Sequence, residues 1–106
     1  MGPKTNELVC ELEECAQMLR SCSETHWATW LEKSIALIKQ GNFRGIEHFE
    51  GAFGGMGSIN DFIIHPINGH SIDEIDAERY NEKMKKHFKN AHELIKVIRN
   101  NVVFEK

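Results

Sequence analysis

Apolar side chains recur at intervals of three and four along most of this chain. That spacing constrains the fold more than any other feature, because a helix turns once per 3.6 residues and brings such positions onto one face. Between about residues 6 and 22 the stripe is Leu8, Leu12, Cys15, Ala16, Leu19 and Cys22, with Glu7, Glu11 and Glu14 on a neighbouring face. A second helix is expected over about residues 24–40, with Trp27, Trp30, Leu31, Ile35 and Ile38 as its apolar face. Ser21-Cys22-Ser23 offers capping groups before it, and Gly41 stops it as a glycine just past a helix end does. Phe43, Ile46 and Phe49 suggest a short third helix over 43–50, weakened and bounded by Gly45 and Gly51. The longest helix is expected over 72–99. Ser71-Ile72-Asp73-Glu74 reads as a capping box, and Ala77, Tyr80, Met84, Phe88, Ala91, Leu94, Ile95 and Ile98 follow it. The fold class implied is mainly α, with three long helices and one short helix around a glycine-rich central loop.

A chain of 106 residues has room for one core. It is expected to be a single helical domain over 1–106, frayed over 1–5 and with a tail over 100–106. Hydrophobic residues at 41% and charged residues at 27% place it among chains that fold unaided. Runs of aliphatic and aromatic residues such as Phe62-Ile63-Ile64 are too short for a membrane span or a signal peptide. Three cysteines, Cys10, Cys15 and Cys22, share one helix at spacings that keep them out of disulfide reach and match no zinc pattern. These features make the cytoplasm the expected location.

The central loop departs from ordinary helical sequence. Gly51-Ala52-Phe53-Gly54-Gly55-Met56-Gly57-Ser58 holds four glycines in eight residues. Such a stretch can form a nest of backbone N–H groups for an anion, with Ser58 and Asn60 adding hydrogen bonds. It matches neither phosphate-loop template, since no lysine follows the glycines and the spacing is not G-x-G-x-x-G. The plainer reading is a tight crossing that sends Phe53 and Met56 into the core, with Ser58-Ile59-Asn60-Asp61 capping a short following helix.

Asn68-Gly69, flanked by apolar residues, allows either a very short β-hairpin over 62–72 or an extended loop. In the hairpin, His65 and His70 share a face. With Asp61 and Asp73 nearby they are side-chain types suited to acid–base work or to a metal, although no third ligand is evident. The alternative is that both imidazoles satisfy backbone groups around the loop. The residues that would line a binding site here are Gly54, Gly55, Gly57, Ser58, Asn60, Asp61, His65, Asn68 and His70. No catalytic residue, metal ligand or cofactor is assigned.

Two surface features compete with this segment. Lys85, Lys89, His92, Lys96 and Arg99 line one stripe of the last helix, while Asp73, Glu74, Asp76 and Glu78 crowd its start. That polarity complements the helix dipole. No aromatic residues interleave with the basic stripe, and the net charge is −3, so nucleic acid is not the expected partner. Trp27 and Trp30, one turn apart, are candidates for a partner anchor or for the core.

His26-Trp27-Ala28-Thr29-Trp30-Leu31-Glu32, Gly41-Asn42-Phe43-Arg44-Gly45, the block from Gly51 to Asp61 and His65-Pro66-Ile67-Asn68-Gly69-His70 carry a resemblance. Over roughly residues 24–98 the chain resembles a family of small bacterial proteins without assigned function, whose most specific part is the glycine-rich block followed by Asn-Asp. The resemblance implies a bacterial cytosolic protein and assigns no catalytic residue. By type, the chain is also similar to small immunity proteins that neutralise a toxin in the cell that makes it. The function expected is thus a protein-binding module, most concretely an immunity or antitoxin-like inhibitor, with a toxin or a second copy as partner. The alternative is a small metal-dependent or acid–base hydrolase centred on Gly51–His70.

Overall fold

The computed structural model describes residues 2–53, 58–59 and 62–105, with side chains described as far as residue 100. Among the described residues four helices, α1 (Pro3–Ser21), α2 (Thr25–Lys39), α3 (Arg44–Glu50) and α4 (Glu74–Glu105), follow in order, with a 3-10 turn at Pro66–Asn68 before α4. Among the described residues there is no strand.

Several boundaries differ from the sequence expectation. Helix α1 begins at Pro3 rather than near residue 6, because a proline in the first turn gives up only an N–H that has no intrahelical partner there. Helix α4 continues to Glu105, so most of the expected tail over 100–106 is helical. No proline or glycine follows Gly69 in the chain, and a helix once nucleated adds one hydrogen bond per residue.

The first two interhelical turns share one geometry. After α2, Gly41 adopts φ +76°, its N–H bonds to Ile38 O and the N–H of Asn42 bonds to Leu37 O. That double bond pattern is a Schellman ending, and Gly41 ends the helix as its type suggests. After α1 the same pattern runs from Ser23 N to Arg20 O and from Glu24 N to Leu19 O. Here the left-handed position belongs to Ser23, at φ +66°. Ser21, Cys22 and Ser23 therefore close α1 rather than cap α2. The cap of α2 is Glu24, whose carboxylate accepts from Trp27 N at 3.0 Å.

Helix α1 packs against both α2 and α4. Its Leu8, Leu12, Cys15 and Leu19 are fully buried, and Val9 and Ala16 nearly so. Burial, with the Glu11 charge adding to it, pushes the Cys15 thiol up to about 12, so it sits in the core as an inert apolar group. Cys10 is exposed, and all three cysteines are free thiols.

Helix α3 lies on α2 and meets α4 through rings. Phe49 and Phe53 are edge-on with centroids 5.1 Å apart, and Phe53 stands at 90° to Phe88 at 5.2 Å. Phe53 is thus core-packed, as expected; Met56 lies outside the described residues. Arg99 of α4 grips Glu50 of α3 through two hydrogen bonds of 2.7 and 2.6 Å. Gly45 sits inside α3 and is buried because the helix presses on α2 there. A Cβ on it would lie 2.7 Å from Ser34 O, Ile38 N and Ile38 Cγ1.

Two of those three atoms are backbone and cannot yield by a rotamer change. Gly45→Ala should therefore push α3 off α2 and lower the unfolding free energy by about 1–3 kcal/mol, read from urea denaturation. An alanine variant as stable as the parent would show that the α2–α3 approach is looser than described.

Candidate functional site

The segment leading into α4 has no neighbouring strand among the described residues, so its backbone groups must be satisfied in another way. Asn81 of α4 does this for the buried Ile64. Its Oδ1 accepts from Ile64 N and its Nδ2 donates to Ile64 O, both at 2.8 Å. A side-chain amide thus takes the place of a paired strand.

Beyond Ile64 the chain turns through Pro66–Asn68, and Gly69 follows at φ +86°. The hairpin over 62–72 does not form. Pro66 has no N–H to give a ladder, and His65 caps the turn instead, its Nδ1 accepting from Ile67 N at 3.1 Å. Asn68 Nδ2 donates to Ile63 O at 3.0 Å and closes the turn from the other side.

His70 is buried and fastens this turn to the rest of the fold. The N–H of His65 donates to His70 Nδ1 at 3.0 Å, and His70 Nε2 lies 3.1 Å from Glu24 Oε1. With the proton on Nε2, the imidazole accepts from its own loop and donates to the carboxylate that caps α2. Phe62 stands edge-on to the ring, centroids 5.3 Å apart. Next to it, Ser71 N donates to Cys22 O at 2.9 Å and the Ser23 and Ser71 hydroxyls meet at 3.0 Å. Ser71 therefore binds the α1–α2 turn and does not act as the N-cap of a box with Glu74. Helix α4 starts at Glu74, and the Asp73 carbonyl accepts from Ala77 N.

Both ring nitrogens of His65 and of His70 are thus engaged within the protein, those of His65 by Ile67 N and by Glu74 Oε1 at 3.3 Å. The reading in which these histidines satisfy groups around the loop describes what they do. Ser58 is buried, and Asn68 is exposed with its amide turned to the backbone. Gly54, Gly55, Gly57, Asn60 and Asp61 lie outside the described residues. Glu24 and Asn81, which do most to place the segment, were not foreseen, because each acts on residues far along the chain.

The outer side of the same segment is apolar. Ile67 and Ile75 are 84% and 85% exposed and Ile63 is 59% exposed, the three most exposed large hydrophobic side chains described. Local bonds fix the backbone that carries them: Asn68 joins the turn to Ile63 O, and His65 joins it to Glu74, the neighbour of Ile75. Exposed Asp73, Glu74 and Glu78 lie next to them at the start of α4.

A second group of rings lies on α2 and α3. Trp30 stacks on His48 at a centroid distance of 4.2 Å, donates Nε1–H to His48 O at 2.8 Å and stands edge-on to Trp27 at 5.7 Å. Both tryptophans are half-buried against the core. The buried Ser34 hydroxyl lies 2.8 Å from His48 Nδ1. Desolvation, with the Lys33 charge second, holds the His48 imidazole below its ordinary value of 6.5. On the basic stripe of α4, Arg99 is committed to Glu50, which favours a structural use of that end of the stripe.

A family model described as a domain of unknown function (DUF6966) matches residues 20–73, just over half of the chain. The match runs from the end of α1 through α2, α3 and the turn held by His70. Comparison with curated proteins and with solved structures finds no match.

Two outcomes follow from the geometry. Asn81→Ala removes the partner of both backbone polar groups of the buried Ile64 and should cost about 2 kcal/mol, seen as a lower melting temperature, whereas Asn68→Ala, at an exposed turn, should cost less than half as much. His48 gives a pH dependence. Its value is depressed in the fold, so the unfolded chain takes up a proton first; the stability it contributes is present above pH 6.5 and lost as pH falls below it. The drop in melting temperature between pH 7.5 and pH 5.5 should be smaller in His48→Gln than in the parent, and equal drops would remove His48 as the cause.

Proposed function

We propose that this chain, which belongs to the DUF6966 family of domains of unknown function, is a protein-binding module that docks through its isoleucine-tipped turn over residues 62–75. The observation that carries this reading is the union of exposure and rigidity in one segment. Ile63, Ile67 and Ile75 face solvent on a backbone fixed by Asn81, His65, Asn68 and the His70–Glu24 bond. Grouped exposed aliphatics on an otherwise well-buried chain mark interaction surfaces, and a segment already held in shape loses little entropy when a partner seats on it.

Charge specifies the partner further. Asp73, Glu74 and Glu78 rim the isoleucines, so the complementary surface is an apolar socket edged by lysine and arginine. A toxin whose working surface is basic has that character, and an immunity or antitoxin-like inhibitor in the cytoplasm is the concrete form of the proposal. The internal engagement of both nitrogens of His65 and of His70 favours binding over acid–base hydrolysis at this segment.

The test uses the product of the adjacent reading frame as partner, with affinity measured by calorimetry. Ile67→Asp with Ile75→Asp should weaken binding roughly 30-fold or more, the scale of a lost hot spot, while leaving the melting temperature unchanged because both side chains are exposed. Lys85→Glu with Lys89→Glu should leave affinity within a few-fold. The opposite result moves the docking surface to α4, and a neighbouring product that does not bind sinks the inhibitor reading.

A further inference from the structure

We propose that Glu11, Glu14 and His87 form a binding site for a divalent transition ion, zinc in the first instance, at the seam between α1 and α4. Glu11 and Glu14, three residues apart, fall on the same side of α1, and α4 sets His87 against them. His87 Nδ1 lies 2.9 Å from Glu11 Oε1 and 4.0 Å from Glu14 Oε2. One donor atom from each residue lies within 4.8 Å of the other two. Zinc bonds of roughly 2.0–2.2 Å in a tetrahedron set donors about 3.4 Å apart, and the two separations from Nδ1 bracket that spacing. Small rotations of two glutamates on a helix surface supply the adjustment.

The surroundings suit a cation. Among the described residues no lysine or arginine is paired with Glu11 or Glu14, and Lys39, which reaches the same helix, is paired with Glu13 at 3.0 Å. Two carboxylates therefore face a single imidazole without a fixed positive charge, and a divalent ion balances them. Asn90 Nδ2 donates to Glu11 Oε1 at 3.2 Å and orients that carboxylate, as groups behind a metal ligand do. The Glu14 side chain is 67% exposed, so an ion has access and a water can complete the coordination. An imidazole among the donors favours zinc, cobalt or nickel over magnesium and calcium, which prefer oxygen alone. Bound there, the ion would fasten α1 to α4 on the face away from α2, a role separate from the docking turn.

The experiment is calorimetric titration of the full chain, stripped with chelator and desalted, with zinc chloride. A cobalt titration, read by its visible absorption, reports the coordination. One ion per chain is expected, together with a rise in melting temperature on adding zinc. Glu14→Gln and His87→Gln should each weaken binding at least tenfold, and Asn90→Ala roughly 10-fold as a group behind the ligand. Glu14 is exposed, so its variant keeps the fold even if the α4 variants lose stability. His26→Gln, on α2 beside Trp27 and away from the cluster, should bind as the parent does. Absence of stoichiometric binding at micromolar zinc, or binding that survives Glu14→Gln and His87→Gln together, overturns the site.

Discussion

Helix α1 carries a double load, and the arrangement of everything else depends on it. Its buried positions, from Leu8 and Leu12 through Cys15, Ala16 and Leu19, with Val9 beside them, spread over an arc of about 120° at 100° per residue. A strict seam facing one neighbour is narrower. The arc accommodates two neighbours, and α2 and α4 occupy it. Because α1 and α2 are joined by a tight Schellman turn, their relative placement is local. The placement of α4 is not, and it is reached through the whole of α3 and the segment that follows.

That division explains what could be read from the sequence. The stripes of α1, α2 and α4 and the glycine after α2 are local signals, and each appears in the structure where its residues suggest. Local signals also misled. Asn68-Gly69 favours a hairpin only if two strands can pair, and here the would-be strand finds the Asn81 amide instead. Ser71 and Glu74 match a capping box, yet Ser71 is taken by the α1–α2 turn 48 residues earlier. Ser23 takes the left-handed position usually held by glycine, with nothing in its neighbours to announce it. Side-chain bonds to distant backbone leave no periodic trace, which is why Glu24 and Asn81 were invisible and the turn's true construction with them.

The segment singled out in the sequence overlaps the proposed docking turn, but the isoleucines of that turn are not among the residues the sequence marks. Glycines, histidines and asparagine draw attention to residues 51–70; two of the exposed isoleucines, Ile63 and Ile67, fall in that stretch, and the most exposed, Ile75, falls beyond it in α4. The histidines that signalled chemistry are joints: His65 and His70 each meet a glutamate and a backbone group, and a third, His87, meets Glu11 across two helices. The isoleucines, unremarkable in a sequence because aliphatic residues are expected inside, became informative only once their neighbours were seen to be satisfied without them.

The bond between His70 and Glu24 spans 46 residues of chain. The α1–α2 pair closes over a three-residue turn and can assemble early, since little loop entropy opposes it. Closure at His70 must wait until α3 and the long connection have been gathered, and the entropy of that loop opposes it. The order of assembly therefore runs from the α1–α2 pair outward, and the order of opening runs in reverse. Release of the latch frees the turn from the α1–α2 connection while the two helices stay paired, so the amides of that turn should exchange with solvent before those buried between α1 and α2.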